Sequence, residues 1–239
     1  MLLLARLYGK KEYFDSDTVR NFFDKRSEKD VENLMTITSF QENDYLEKRQ
    51  KEEINLISKK IDFNGKKILE IGCGLGRWAD FFHDKCSEYV GIDYSENLIE
   101  IAKKHFNFPN CYFEILSATE LDEDNLPING PYDIIFITGV IMYLNDNDID
   151  IMIEKINKLT HENSIIYIRE STSVLDTRLT LKDFYSKELK SDYNVIYRTK
   201  KELLEFFEKI ENINSIETSL IHTEYNDFDE TSFRYFILK

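Results

Sequence analysis

The chain is short of positive charge, cysteine and long apolar runs, and it contains no internal repeat. Its 31 Lys and Arg stand against 45 Asp and Glu, for a formal net charge of -14 and a pI near 4.8. Tight binding to bare nucleic acid or to an anionic membrane needs a local basic field, so no nucleic acid and no membrane are expected as partners. Lysine pairs such as Lys59-Lys60 and Lys103-Lys104 fall on helical faces and read as solvated surface. The three cysteines, Cys73, Cys86 and Cys111, show no metal-ligand spacing and cannot all pair, which fits a reducing compartment. The apolar opening Met1-Leu2-Leu3-Leu4-Ala5 meets Arg6 at once and is too short for a signal-peptide core or a membrane span. A cytoplasmic protein with a small-molecule substrate is expected, and nothing in the sequence sets its oligomeric state.

What is present is concentrated in Lys67-Ile68-Leu69-Glu70-Ile71-Gly72-Cys73-Gly74-Leu75-Gly76-Arg77-Trp78, answered by Gly91-Ile92-Asp93-Tyr94. The first stretch reads as a buried strand, a glycine turn and a helix start; the second as a strand ending in a carboxylate. Glycines let the backbone turn sharply beside a ligand, and an acidic residue about 20 positions on can grip the two hydroxyls of a ribose. A dinucleotide fingerprint wants its third glycine at the sixth place, and here that place is Arg77. A carboxylate at Glu70 suits a ligand carrying an ammonium group and would repel a phosphate.

These residues resemble motif I of the class I S-adenosylmethionine-dependent methyltransferases. The resemblance runs from about Lys66 to Arg169 and implies S-adenosyl-L-methionine as cofactor. On it, Glu70, Gly72, Cys73, Gly74 and Gly76 form the loop under the methionine part, with Cys73 a small filler. Asp93 would hold the ribose and Tyr94 lie against the adenine face. Ala118 would approach the adenine amino group, although Ser117 departs from the family's acidic residue there. Thr138 and Gly139 would lie beneath the methyl-bearing sulfur.

The order of elements agrees. From Lys66 the chain alternates strand and helix up to Arg169, which predicts a parallel, doubly wound sheet with ligands at the carboxyl ends of its strands. Two late strands, Ser215 to His222 and Ser232 to Leu238, read as an antiparallel hairpin that completes a mostly parallel seven-stranded sheet. Thr199 and Glu202 form a capping box for a helix whose Leu203, Phe206, Phe207 and Ile210 face the core. Residues 1–60 carry helical periodicity without strand signals, with Val19, Phe22 and Phe23 on one face and Leu46, Ile54, Ile57 and Ile61 on another. The resemblance implies that they are an N-terminal helical cap, with Tyr8, Tyr13, Phe14 and Arg49 as lid residues. Residues 61–239 form the main domain, and its stretch at about 171–200, without clear strands, occupies the place of a substrate-side insertion.

Methyl transfer to a hydroxyl benefits from a base, and Glu170, Tyr143 and His222 are the candidates. Glu170 follows the fifth strand directly, and its alternative is a surface carboxylate paired with Arg169. Tyr143 stands where many relatives of this family place a histidine; tyrosine is a poor base near neutral pH and suits orientation of the acceptor. His222 has the right intrinsic pKa, with a structural histidine as its alternative. Tyr193, Tyr197 and Arg198 are candidates for binding a sugar-like or anionic acceptor, since aromatic rings stack on sugars and a guanidinium pairs with phosphate or carboxylate. The alternative for these aromatics is core packing. The run Asp146-Asn147-Asp148-Ile149-Asp150 resembles the start of a calcium loop, but Ile151 replaces its glycine and Asn157 its closing glutamate, so an acid-rich helix N-terminus is the better explanation. An oxygen of a small polar molecule, a sugar or a phosphorylated precursor, is the expected acceptor. A small amine, or a noncatalytic module that binds the cofactor, remains open.

Overall fold

The computed structural model describes residues 5–27, 43–186, 191–222, 224 and 228–239. In chain order they form β1 (Ala5–Tyr8), α1 (Ser16–Ser27), α2 (Asn43–Ile57), β2 (Lys67–Ile71), α3 (Arg77–Phe82), β3 (Glu88–Asp93), α4 (Glu96–His105) and β4 (Cys111–Ile115). Then come β5 (Tyr132–Thr138), α5 (Asp146–Leu159), β6 (Thr160–Ser173), β7 (Leu179–Ser186), β8 (Ser191–Tyr197), α6 (Lys200–Phe207), β9 (Ile216–Leu220) and β10 (Thr231–Leu238). Short 3₁₀ turns occupy Glu123–Asn125 and Ile141–Tyr143.

Seven strands make one sheet in the order β4-β3-β2-β5-β6-β10-β9. The first five are parallel, while β10 runs antiparallel to both β6 and β9. The sheet and its closing hairpin are those the alternation predicts. Strand order reverses between β2 and β5, and such switch points open a crevice at the carboxyl ends of the strands.

Helices cover both faces, so the central strands β2 and β5 are largely apolar and buried. On one face Leu69, Ile71, Ile135, Ile137, Ile166 and Ile168 pack against Ile149, Met152, Ile153 and Ile156 of α5 and Leu203 and Phe207 of α6. On the other, Ile68, Tyr89, Phe136 and Tyr167 meet Ile57 of α2, Trp78 and Phe82 of α3 and Ile99 of α4. Each such side chain, once buried, contributes about 1.5–3 kcal/mol. The helix ends follow their cap residues. Ser95 Oγ accepts the Leu98 N–H at 3.3 Å ahead of α4, and the Thr199–Glu202 capping box starts α6 as expected.

Two segments depart from the sequence reading. Residues 171–198 continue β6 and then form β7 and β8, and residues 1–60 contribute β1; together β1, β7 and β8 make a separate antiparallel sheet in the order β1-β7-β8. The pairing is long-range: Leu7 lies opposite Thr180. No local pattern announces it, because β1 is four residues long and acquires its partner from the far end of the chain.

Candidate active site

The glycine loop lies at the switch point. Gly72, Gly74 and Gly76 have φ of 71°, 54° and 75°, a region that side-chain-bearing residues avoid. Close approach adds to this at Gly72, where a Cβ would stand 2.2 Å from Val140 Cγ2. Gly76 serves packing instead, since a Cβ there would meet Phe113 at 2.7 Å, and it stands outside the cavity wall. The Gly72 and Cys73 N–H groups donate to the Ile92 carbonyl at 2.8 and 2.9 Å, and Gly74 donates to Asp93 Oδ2 at 3.0 Å. The loop is thereby tied to the end of β3.

Three ionisable groups here have displaced pKa values. Burial pushes Asp93 up to about 6 against the opposing donors Ser95 and Gly74. Glu70 goes further, to about 8: burial outweighs the Tyr89 hydroxyl, which donates to its Oε2, and the Arg77 charge. The carboxylate expected beside the loop is therefore mainly the neutral acid near pH 7. Burial also raises the Cys73 thiol, whose sulfur lies against Gly91.

A cavity of about 830 Å³ opens over this loop. Its loop side includes Glu70, Gly72, Cys73, Gly74, Asp93 and Tyr94. Ser117, Ala118, Thr138 and Gly139 continue the wall from the ends of β4 and β5. Its opposite side is aromatic, with Phe23, Tyr143, Tyr193 and Tyr197, and grades into a polar corner of Arg49, Glu53, Arg169 and His222. Of the expected lid residues, Tyr13 and Arg49 line it. Phe14 is clamped elsewhere by Asn145, whose Oδ1 accepts its N–H at 2.8 Å, and the Tyr8 hydroxyl donates to Glu230 at 2.8 Å.

Two sequence expectations are overturned. Glu170 is 1% exposed and faces away from the cavity; its Oε1 accepts the N–H groups of Val140 and Ile141 at 2.8 and 2.9 Å, and its Oε2 that of Met142 at 3.3 Å. It caps the 3₁₀ turn after β5, so its lone pairs are spent on backbone. Nor does it pair with Arg169, which binds Glu53. Arg198 is likewise absent from the cavity: it donates to the carbonyls of Ile141 and Leu144 at 2.9 and 2.8 Å and to Asp146 at 2.6 Å. Asp146 also receives Arg178, so the acidic run at the start of α5 anchors two buried arginines.

Tyr143, Tyr193 and His222 do converge on the cavity. The Tyr143 and Tyr193 hydroxyls lie 3.2 Å apart, and burial raises the pKa of both, which suits donors and not bases. Burial pushes Tyr197 up to about 12. His222 sits at φ 60° with its ring buried. Its Nδ1 is 2.7 Å from Glu52 Oε2, while its Nε2 is 3.6 Å from Glu53 Oε2, beyond hydrogen-bond range. A carboxylate accepts, so Nδ1 is the donor and in the neutral ring Nε2 keeps its lone pair.

Sequence reasoning missed Glu52, Glu53, Arg77 and Arg169. A signal for Glu53 existed, because it falls on the stripe of α2 that carries Leu46 and Ile57, where a charge needs a partner. Its partners are the Tyr167 hydroxyl at 2.7 Å and Arg169 Nε at 3.3 Å. Against the desolvation that favours the neutral acid, Arg169, His222 and Tyr167 hold Glu53 at about 2. Among the described residues no group of three or more His, Cys, Asp or Glu could hold a metal, and no helix is long and apolar enough to cross a membrane.

A family profile described as a methyltransferase domain matches residues 69–166, the segment that builds the loop, Asp93 and the switch point. Residues 69–166 carry a methyltransferase domain, and the fold is that of the class I S-adenosylmethionine-dependent methyltransferases. The chain is 27% identical to phosphoethanolamine N-methyltransferase 1 of Arabidopsis thaliana over 53% of this chain and 25% of that protein. It is 30% identical to the ubiquinone biosynthesis O-methyltransferase of Mesorhizobium japonicum over 44% of this chain and 41% of that protein. The chain thus spans less than half the length of either. Its fold is that of a Leishmania major SAM-dependent methyltransferase, with a TM-score of 0.65 at 17% identity over 100% and 98% of the two chains. The cofactor of such methyltransferases is S-adenosylmethionine, and the residues present fit it: the side-chain-free backbone of Gly72 and Gly74, the Asp93 carboxyl, which could meet a ribose, and the polar groups of Glu70 and Arg77 all line one cavity.

Proposed function

We propose that this methyltransferase transfers the methyl group of S-adenosylmethionine to an oxygen of a small polar molecule, a sugar or a phosphorylated precursor. One observation carries the reading: one cavity is lined both by the glycine loop with Asp93 and by His222, whose Nδ1 is paired with Glu52. When bound, S-adenosylmethionine supplies a methyl carbon already activated by a positive sulfur. What remains for the protein is orientation, worth about 7–11 kcal/mol in favourable cases, and removal of the acceptor's proton, worth about 10²–10⁴ in rate. In this reading Asp93 and Tyr94 hold the nucleoside, and the Tyr143 and Tyr193 hydroxyls orient the acceptor. His222 Nε2 takes the proton, and Glu52, through Nδ1, stabilises the resulting imidazolium. Residues 1–60 serve as a cap, and residues 171–200, joined by β1, roof the acceptor side.

A second reading is favoured by the aromatic wall. Phe23 and Tyr143 meet edge to face at 5.2 Å, and Tyr143 and Tyr193 at 6.1 Å, all three lining the cavity with ring surfaces that attract a cationic amine. Similarity to phosphoethanolamine N-methyltransferases points the same way, toward a nitrogen acceptor. Replacement of His222 separates the two. With hydroxyl acceptors, His222→Asn should lower kcat by about 10²–10⁴ while leaving S-adenosylhomocysteine affinity, read by calorimetry, unchanged. Full kcat in His222→Asn with a hydroxyl acceptor would remove His222 as the base, and turnover of amines with none of any hydroxyl acceptor by the wild type would sink the oxygen reading.

A further inference from the structure

The wall opposite the glycine loop runs from buried to exposed. On β7, Leu179 and Leu181 are buried, Phe184 is half-buried and Tyr185 is exposed, and all four line the cavity. Strict alternation along a strand would send Asp183 to the same face as Leu179 and Leu181. A bulge prevents this: three steps from Leu181 to Phe184 are matched by two on β8, from Val195 to Tyr193. Asp183 takes a φ of 49°, and its N–H donates to Asn194 Oδ1 at 2.7 Å. The slip of one residue keeps a carboxylate out of the wall and puts an aromatic ring in its place.

The apolar wall continues to the surface. Among the described residues eight large hydrophobic side chains are exposed, and Tyr13, Tyr185 and Phe228, at 68%, 49% and 54%, also line the cavity, which sets them at its mouth. Two more stand beside it. The Tyr8 hydroxyl donates to Glu230 Oε1 at 2.8 Å and the Val174 N–H to the Glu230 carbonyl at 3.0 Å, Glu230 being part of the same wall. Apolar exposure gathered round one opening marks a binding surface. Arg6, which lies 5.9 Å over the Phe184 ring, is neutralised by Glu230 and needs no anion from a ligand.

We propose that the acceptor is an amphiphile: its polar head reaches the tyrosine hydroxyls and His222, and its hydrocarbon tail lies along Phe184 and leaves between Tyr13, Tyr185 and Phe228. The tail belongs to the acceptor itself because the rim is continuous with the acceptor wall, so one molecule with its head in the cavity covers both. This rests on the function proposed above only in placing the acceptor opposite the glycine loop.

Calorimetry on the full chain saturated with S-adenosylhomocysteine tests it with the n-alkan-1-ols from butanol to octanol, each a hydroxyl head on a tail of known length. In wild type each added methylene should tighten binding about two- to fourfold. Phe228→Ser and Tyr185→Ser should each lower that slope, while Ile151→Ser, which changes an exposed side chain of α5 outside the cavity, should keep it. A thermal melt checks that the variants fold, and the two rim positions serve as independent tests. No slope in wild type, or a slope unchanged in both rim variants, overturns the tail site. So does a preference for butylamine over butanol without a slope, which would assign the rim to attraction of a cation. Binding is read without methyl transfer, so wild type that shows the slope but methylates only amines strikes the oxygen acceptor and leaves the tail site standing. If S-adenosylhomocysteine does not bind, the cofactor reading falls, and the same alcohols titrated into the free protein judge the rim.

Discussion

Asp93 accepts the Gly74 N–H through Oδ2 at 3.0 Å and the Ser95 N–H through Oδ1 at 2.9 Å, so one carboxylate joins the glycine loop to the start of α4. A ribose at Asp93 would therefore meet a group already fixed by backbone, with little freedom left to lose. Asp93→Ala should weaken S-adenosylhomocysteine binding by at least about tenfold and lower the Tm, since two buried donors lose their acceptor. Asp93→Asn keeps one acceptor oxygen and should retain the fold while still losing affinity. Wild-type affinity in Asp93→Asn would restrict the carboxylate to tying the loop.

Glu70 makes stability depend on pH. Its folded pKa of about 8 lies above the ordinary carboxyl value of 4.5, so the folded state binds the proton more tightly than the unfolded chain. The resulting stabilisation is complete below about pH 4.5 and is lost as pH rises through 8. Glu70→Gln removes that dependence, so its Tm should gain on wild type as pH is raised from about 6 to 9. Glu53 acts in the opposite sense: held at about 2, it stabilises the fold above 4.5 and loses this as pH falls toward 2. A melt series across pH in Glu70→Gln and in Glu53→Gln reads the two slopes separately.

Glu170 is expected to matter through the backbone it caps. Glu170→Ala leaves the N–H groups of Val140, Ile141 and Met142 without their acceptor, at about 1–3 kcal/mol for each that stays buried. Glu170→Gln keeps one carbonyl oxygen and should retain most of the stability. It should also retain most of the turnover, because no proton is transferred through this residue. A large loss of kcat in a well-folded Glu170→Gln, with unchanged Tm, would restore it as a base.

Arg198 and Asp146 form the pair whose removal should be most damaging to the α5 end of the molecule. Arg198→Met strips two backbone carbonyls and one carboxylate of their donor, and breaking a buried pair on one side typically costs about 3–5 kcal/mol. Arg178 still holds Asp146, so the loss should fall at the lower end of that range. Chemical denaturation measures it; cofactor affinity should follow stability and show no separate effect.

Much of the donor side was legible in the residues themselves, because it is built from consecutive positions. Gly72 and Gly74 can take the left-handed angles of a sharp turn without steric cost, and strand β3 ends near Asp93, where its apolar run ends. The acceptor side was not legible. Glu170 and Arg198 carry the residue types of an active site, yet both were drawn into backbone hydrogen bonds that no spacing rule reveals. Tyr143 and Tyr193 come from positions 50 apart, and His222 finds Glu52 across 170 residues.

The sequence by itself determined the doubly wound sheet, the glycine loop and the kind of ligand that loop can approach, since hydrophobic period and backbone sterics act within a few residues. Tertiary structure decided the protonation of Glu70, the turn-capping role of Glu170 and the pairing of β1 with β7. Burial and through-space charge depend on which distant groups become neighbours, and that is settled only when the strands are ordered and the helices packed upon them.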